Sequence, residues 1–306
     1  MTENLKSYSW RAFGTSIQGA AHVRLSLVNQ DDIEWYPKIP GNSGLPVIMA
    51  VSDGHGSAKC FRSGLGSQFA TKSAKEVVKQ VLSSGNFPSD LSKAKHLIEE
   101  GLPRDIVKNW QKVVDRHLKE NPFTVEELTH LKDKEGVSSI TKIEQNHYLA
   151  YGATLLVTFV TETYLAILQL GDGDVLLVSD SGDVSRTVPS DERLIANETT
   201  SLSDKLAWQD FRTSFISVSS QPPAMILMST DGYSNSFRDE ESFLKIGADY
   251  LEMLRQDPPK SIQRGMRGWL TEASQFGSGD DITLGIIYRM DAVLSVKAIS
   301  ANSPQE

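Results

Sequence analysis

A single cysteine, Cys60, stands among the 306 residues, so no internal disulfide can form and a reducing compartment is expected. No stretch reaches the ~20 consecutive apolar residues that a membrane-spanning helix needs. Met1 to Arg11 mixes charged and polar side chains and lacks the apolar core of a secretion signal. Positive charge is in deficit as well: 31 Lys and Arg against 39 Asp and Glu leave a net charge of −8. No basic cluster suits nucleic acid or an anionic membrane, so a cytoplasmic protein that binds neither is expected. An acidic chain does not attract phosphate by itself, and any chemistry on phosphate here needs local cations.

Hydrophobic residues make up 39% of the chain, and aliphatic runs recur from residue 46 to residue 289. A chain of this length buries enough surface for a sizeable core. The reading is one domain over residues 1–306, with its core at about 10–290, a flap region at 181–221 and a polar tail at 300–306.

Period-two and period-3.6 patterns alternate along it. Trp10–Ile17 and His22–Val28 read as short strands, and Pro46–Ser52 as a buried one ending in the turn Asp53-Gly54-His55-Gly56. A helix is predicted from about Ala58 to Leu82. Residues 88–147 read as helical, with Pro103 in a first turn and Thr124 and Glu127 at capping-box spacing, stapled by Phe123 and Leu128. The pattern fades from Gly136 to His147, which predicts an exposed loop.

The chain then turns β-rich: Ala153–Val160, Tyr164–Leu170, Val175–Ser179, Ser214–Ser219 and Ala224–Ser229. Helices near 240–255 and 259–274 lead to a last strand, Ile282–Tyr288. Short hairpins imply antiparallel pairing, and the amphipathic helices are there to cover sheets. The expected fold is α+β: a four-layer αββα sandwich of two mostly antiparallel sheets flanked by helices.

Four acids share one context. Asp53 ends PVIMAVS, Asp172 follows TYLAILQLG, Asp231 ends AMILMST, and Asp280 precedes ITLGIIY. Asp31 is a fifth, after Val28. Turns alone account for any one of these, but as a set they follow apolar strands able to aim carboxylates into one cleft. Carboxylates ~4 Å apart repel by ~4 kcal/mol per pair at an effective dielectric near 20, so a converging set needs bound cations. Oxygen-only ligation favours Mg²⁺ or Mn²⁺ over Zn²⁺. His55, between two glycines, is a candidate general acid.

Asp53-Gly54-His55-Gly56, Gly152-Ala153-Thr154, Gly171-Asp172, Ser229-Thr230-Asp231-Gly232 and Asp280-Asp281-Ile282-Thr283 occur in the order of the PPM/PP2C protein phosphatase motifs. The chain resembles that family over about residues 15–290. Gly19-Ala20-Ala21-His22, Gln30-Asp31 and Asn197-Glu198-Thr199 are similar to its bacterial branch. The resemblance implies a β-sandwich flanked by helices and hydrolysis of phosphoserine and phosphothreonine in proteins, opposing a serine/threonine kinase. It also implies the ligand set: Asp53 bridging two ions, the Gly54 carbonyl on one of them, Asp231 and Asp280 completing that shell. Asp31 would hold the second ion through water, and Asp172 a weaker third. A water between the two ions would attack phosphorus. The family's phosphate-binding arginine aligns near Ser26, and Arg24 is the candidate for that role.

Other readings leave specific gaps. A cysteine phosphatase needs Arg six positions after its Cys, and that residue is Gly66. Gly64-Leu65-Gly66-Ser67 lacks the Gly-Lys-Ser/Thr ending of a P-loop. EF-hand spacing is missing. Asp172-Gly173-Asp174 resembles the nucleophile motif of haloacid-dehalogenase-type phosphatases, but a strand, not a helix, is predicted next. A phosphatase-like binding module without catalysis is the remaining alternative. Trp110, Trp208 and Trp269 read as packing residues, Arg186, Arg193 and Arg212 as surface within the flap, and Cys60 as a buried side chain.

Overall fold

The computed structural model describes residues 8–38, 45–84, 88, 90–188, 199–218 and 222–294. The chain opens with β1 (Trp10–Ile17), helix α1 (Ala20–Leu25), β2 (Asp32–Tyr36) and β3 (Val47–Ser52). The helices α2 (Ser63–Ser83), α3 (Leu91–His96), α4 (Leu102–Glu120), α5 (Val125–Glu135) and α6 (Val137–Gln145) follow. Then come β4 (Leu155–Val160), β5 (Tyr164–Leu170), β6 (Asp174–Val178), β7 (Val184–Arg186), β8 (Arg212–Ser217) and β9 (Met225–Ser229). The chain closes with α7 (Asp231–Ser234), α8 (Glu240–Gln256), α9 (Pro259–Phe276) and β10 (Ile282–Arg289).

Two five-stranded antiparallel sheets result, ordered β1-β10-β9-β6-β7 and β2-β3-β4-β5-β8. Every central strand is apolar on both faces because each face meets another layer. In β3, Val47, Met49 and Val51 face the opposite sheet, while Ile48 and Ala50 face helices. In β9, Ile226 and Met228 point between the sheets, and Met225 and Leu227 point outward. Helices α2 and α4 cover one sheet with Ala70, Ala74, Ile106 and Trp110. Helices α8 and α9 cover the other with Tyr250, Leu254, Met266 and Leu270. This is the expected αββα sandwich. Gly14 of β1 pairs with Gly285 of β10. A Cβ there would press on Ile33 and Met49, so only glycine fits there.

Local chemistry accounts for most boundaries. The Thr124–Glu127 capping box forms and opens α5. Helix α3 runs through a π turn at Leu97–Gly101 into α4, and Pro103 lies in the first turn of α4, where a missing N–H costs least. The helix predicted from Ala58 starts as a 3₁₀ turn over Ala58–Cys60 before α2.

Two expectations are corrected. His22–Val28 is not a strand: α1 occupies Ala20–Leu25. Its alternating Val23, Leu25 and Leu27 are exposed, so the period-two pattern there reflects no buried face. Residues 137–145 are not a loop but α6, held by buried Ile143 and half-buried Ile140. Gly136 at φ 82° separates it from α5, and nine residues are too few for a clear helical period. Of the tryptophans, Trp110 is fully buried and donates to the Gly66 carbonyl at 3.0 Å. Arg104 stacks over Trp208 at 4.1 Å, and Trp269 packs on Tyr250. Among the described residues no helix is long and apolar enough to cross a membrane. Arg193, Asn197, Glu198 and the 300–306 tail lie outside the described residues.

Candidate active site

The two sheets present strand ends at one edge of the sandwich, and the acids sit there. Asp53 leaves β3, and the Gly152-Ala153-Thr154 segment grips it. The Asp53 amide donates to Thr154 Oγ1 at 3.1 Å, and the Thr154 amide donates to the Asp53 carbonyl at 2.8 Å. Ser52 Oγ donates to the Thr154 carbonyl at 2.5 Å. His55 N–H donates to the Gly152 carbonyl at 3.1 Å, and Gly54 N–H donates to the Gln30 carbonyl at 3.1 Å. A Cβ on Gly54 would meet the carbonyl oxygens of Gln30 and Ser63 at 2.7 Å, so this turn tolerates no side chain.

Asp31 precedes β2 rather than following a strand, and it is 5% exposed. Its Oδ2 accepts from Thr230 Oγ1 at 2.8 Å. Asp231 opens α7 directly after β9 and accepts from Asn235 Nδ2 at 3.0 Å. Asp172 sits in the β5–β6 hairpin, where Gly171 adopts φ 101°, and accepts from the Thr199 hydroxyl. Asp280 ends the loop before β10, with Oδ1 taking the Asp281 amide at 2.8 Å. Asp174, the second acid of the Asp-Gly-Asp sequence, is tied up by Arg186 at 2.6 Å and begins strand β6. No helix follows it, so the haloacid-dehalogenase geometry is missing.

A cleft of about 680 Å³ opens between these ends, lined by Asp53, Gly54, His55, Asp172, Asp231 and Asp280. Electrostatics show how closely the acids crowd. Burial, with repulsion from Asp281 and Asp280, holds Asp31 well above the usual carboxylate range. Burial, with Asp31, Asp231 and Asp280, does the same to Asp53, whose carboxyl is within hydrogen-bonding reach of Asp231. Burial and Asp172 push Asp231 up to about 6. These shifts follow from the burial of like charges beside one another.

Among the described residues no group of three or more His, Cys, Asp or Glu side chains forms a ready metal cage. The oxygen-only donor set suits hard ions such as Mg²⁺ or Mn²⁺ better than Zn²⁺. Asp31, Asp53, Asp231 and Asp280 crowd one another and would gain most from such charge. The donor chemistry suits a divalent centre, while the described side chains do not close around a single point.

His55 is half-buried where it lines the cleft, and desolvation lowers its pKa to about 4 despite Asp172. The imidazole is neutral at neutral pH in the free protein. Arg24 is exposed on α1 and is not among the residues lining the cleft. The amine that does line it is Lys59, three residues beyond Gly56 and invisible as a motif. Its ammonium makes no ion pair among the described residues. Arg186 pairs with Asp174 and Glu240, and Arg212 donates to the Gly171 carbonyl at 2.6 Å, so both brace the hairpin carrying Asp172.

Sequence reasoning also missed the clamp behind the acids. Asp281, 3% exposed, accepts from the amides of Gly19 and Gln30, each at 2.6 Å, and contacts His22 Nδ1 at 2.9 Å. It ties the 19–31 segment, and with it Asp31, to β10. Its adjacency to Asp280 was the available signal.

Comparison with known proteins identifies the family and the fold. A model of the protein phosphatase 2C family matches residues 18–272. The fold is similar to PppA of Pseudomonas aeruginosa, described as a key regulatory component of T6SS, at 14% identity and TM-score 0.57, covering 93% of this chain and 99% of that one. It is similar to a bacterial serine phosphatase at 14% identity and TM-score 0.55, covering 92% and 97%. It is also similar to the catalytic domain of the serine/threonine phosphatase PstP in complex with 2 manganese ions, at 15% identity and TM-score 0.52, covering 93% and 100%. At these identities the likeness is one of fold. The search of curated proteins finds no match.

Proposed function

Because the chain belongs to the protein phosphatase 2C family and is a protein-serine/threonine phosphatase, we propose that it cleaves phosphoserine and phosphothreonine in proteins with two divalent ions, Mg²⁺ or Mn²⁺. The observation that carries this reading is the crowding of buried Asp31 with the cleft-lining Asp53, Asp231 and Asp280, which raises the carboxyls of Asp31, Asp53 and Asp231 together. Asp53 would hold both ions; Asp231, Asp280 and the Gly54 carbonyl would hold one, Asp31 the other, and Asp172 a weaker third. Ions held there supply Lewis-acid polarisation of phosphoryl oxygens and a water of lowered pKa.

The chain's own residues do the rest. Lys59 supplies the positive charge that draws a phosphate into an otherwise acidic cleft, a role that Arg24 is not placed to play. His55, neutral when the cleft is empty, gains proton affinity beside a phosphate dianion. It is then the group that hands a proton to the departing serine or threonine oxygen. Thr154 and Gly152 hold Asp53 and His55 in register for this. A cytoplasmic location and an opposing serine/threonine kinase complete the proposal.

The test is hydrolysis of p-nitrophenyl phosphate and a phosphothreonine peptide with Mn²⁺, with Mg²⁺ and with EDTA. The expected result is metal-dependent activity that Asp53→Asn and Asp231→Asn each abolish. A folded wild type that binds Mn²⁺ yet hydrolyses neither substrate would mark a binding module instead.

A further inference from the structure

Strands β1, β2, β3 and β10 run from the acid cleft to the opposite end of the sandwich: Ile17 pairs with Ile282 near the acids, and Trp10 with Arg289 at the far end. There a second cavity of about 420 Å³ opens around the edge strand β1, lined by β2 and β3 on one side and by the start of α9 on the other. Its walls are apolar and largely aromatic: Trp10, Phe13, Trp35, Tyr288 and Met290. Phe13 and Tyr288 meet edge to face at 5.9 Å, and Trp35 is half-buried with the Lys38 ammonium over its ring at 5.0 Å. The volume falls within the range of small-molecule sites.

The charge around this slot opposes that of the whole protein. Arg11, Lys38 and Lys260 line it, and no Asp or Glu among the described residues does, in a chain of net charge −8. Lys38 pairs with Glu34 at 2.8 Å. Arg11 and Lys260 have no ion-pair partner among the described residues. Helix α9 also starts here without a capping side chain and without an acid in its first turn, leaving its positive dipole end uncompensated.

We propose that this slot binds a small amphipathic anion: an aromatic body among Trp10, Trp35 and Tyr288, and an acidic group at Arg11 and Lys260. Flat rings gain from edge and offset contacts with these walls. The two cations discriminate the acid from its neutral counterpart, since charge-assisted hydrogen bonds are about twice as strong as neutral ones. The site is separate from the acids and takes no part in the proposed hydrolysis.

The test uses the full chain with anilinonaphthalene sulfonate and its neutral counterpart phenylnaphthylamine, following probe fluorescence under tryptophan excitation and thermal unfolding. Saturable one-to-one binding of the sulfonate is expected, with a raised melting temperature. Arg11→Glu and Lys260→Glu should each weaken it about tenfold while leaving the neutral probe unchanged. Trp35→Ala should weaken both probes, and Asp231→Asn neither. Unfolding curves of the variants establish that each is folded. Three outcomes overturn the proposal: no saturable binding, equal affinity after charge reversal in folded variants, or binding that appears only with Mn²⁺.

Discussion

The Thr230 hydroxyl lies 2.8 Å from Asp31 Oδ2 and donates its proton there. Its direction is fixed because the same oxygen accepts the Thr283 amide proton at 3.0 Å. Thr230 thus joins β10 to an acid more than a hundred residues away and offsets part of the cost of burying it.

Thr230→Val keeps the shape and removes the donor. Asp31 is then buried with one fewer partner, which should cost about 1–3 kcal/mol and weaken Mn²⁺ binding by about 10–100-fold. Thr230→Ser should restore both. Urea unfolding and Mn²⁺ titration read the two effects separately.

Asp281→Ala removes the acceptor shared by Gly19, Gln30 and His22. Two amides lose their partner in a largely buried setting, for an expected loss of about 2–4 kcal/mol. Hydrogen exchange at Gly19 and Gln30 should accelerate more than at the amides of β4. Equal acceleration everywhere would mean global loosening and no specific clamp.

The metal-free protein should show a pH signature at Asp231. Its carboxyl ordinarily titrates near 3.8 and is pushed up to about 6 in the fold. Below about 4 it is protonated in both states and costs nothing. Between the two values the folded state keeps a proton that the unfolded chain has released, so the fold loses stability as pH rises through about 6. In EDTA, Asp231→Asn should therefore gain on wild type between pH 4 and pH 7, by on the order of 2 kcal/mol. Saturating Mn²⁺ should cancel the gain, because wild type alone then binds the ion well. Urea unfolding at the two pH values measures it.

Lys59→Gln should raise KM for p-nitrophenyl phosphate about tenfold with kcat nearly unchanged, the pattern of lost uniform binding. Lys59→Arg should recover most of it. A fall in kcat alone would place Lys59 in the chemical step instead.

Gly66→Ala tests how α2 is seated. The new Cβ would press into the Tyr151 carbonyl, and Gly66 already offers its own carbonyl to Trp110 at 3.0 Å. Overpacking of this kind costs about 1–3 kcal/mol. Thermal unfolding should show it, with a larger drop than for Gly268→Ala, whose Cβ would meet nothing.

Sequence alone determined the layers, since strands apolar on both faces such as Val47–Ser52 and Met225–Ser229 require cover on both sides. It also marked Asp53, Asp172, Asp231 and Asp280, because each acid ends or begins an apolar strand, and the chain pattern is local. The capping box at Thr124 is local in the same way.

What tertiary structure alone decided is what depends on distant partners. His22–Val28 has the alternation of a strand, yet Gly19 and Ala20 donate to Asp281 Oδ1 and Ser274 Oγ across the chain, and the segment starts a helix. The choice of Lys59 over Arg24 at the cleft, the Asp281 clamp and the aromatic slot at the far end all join residues between about 20 and 280 positions apart, a range over which periodicity and spacing carry no signal.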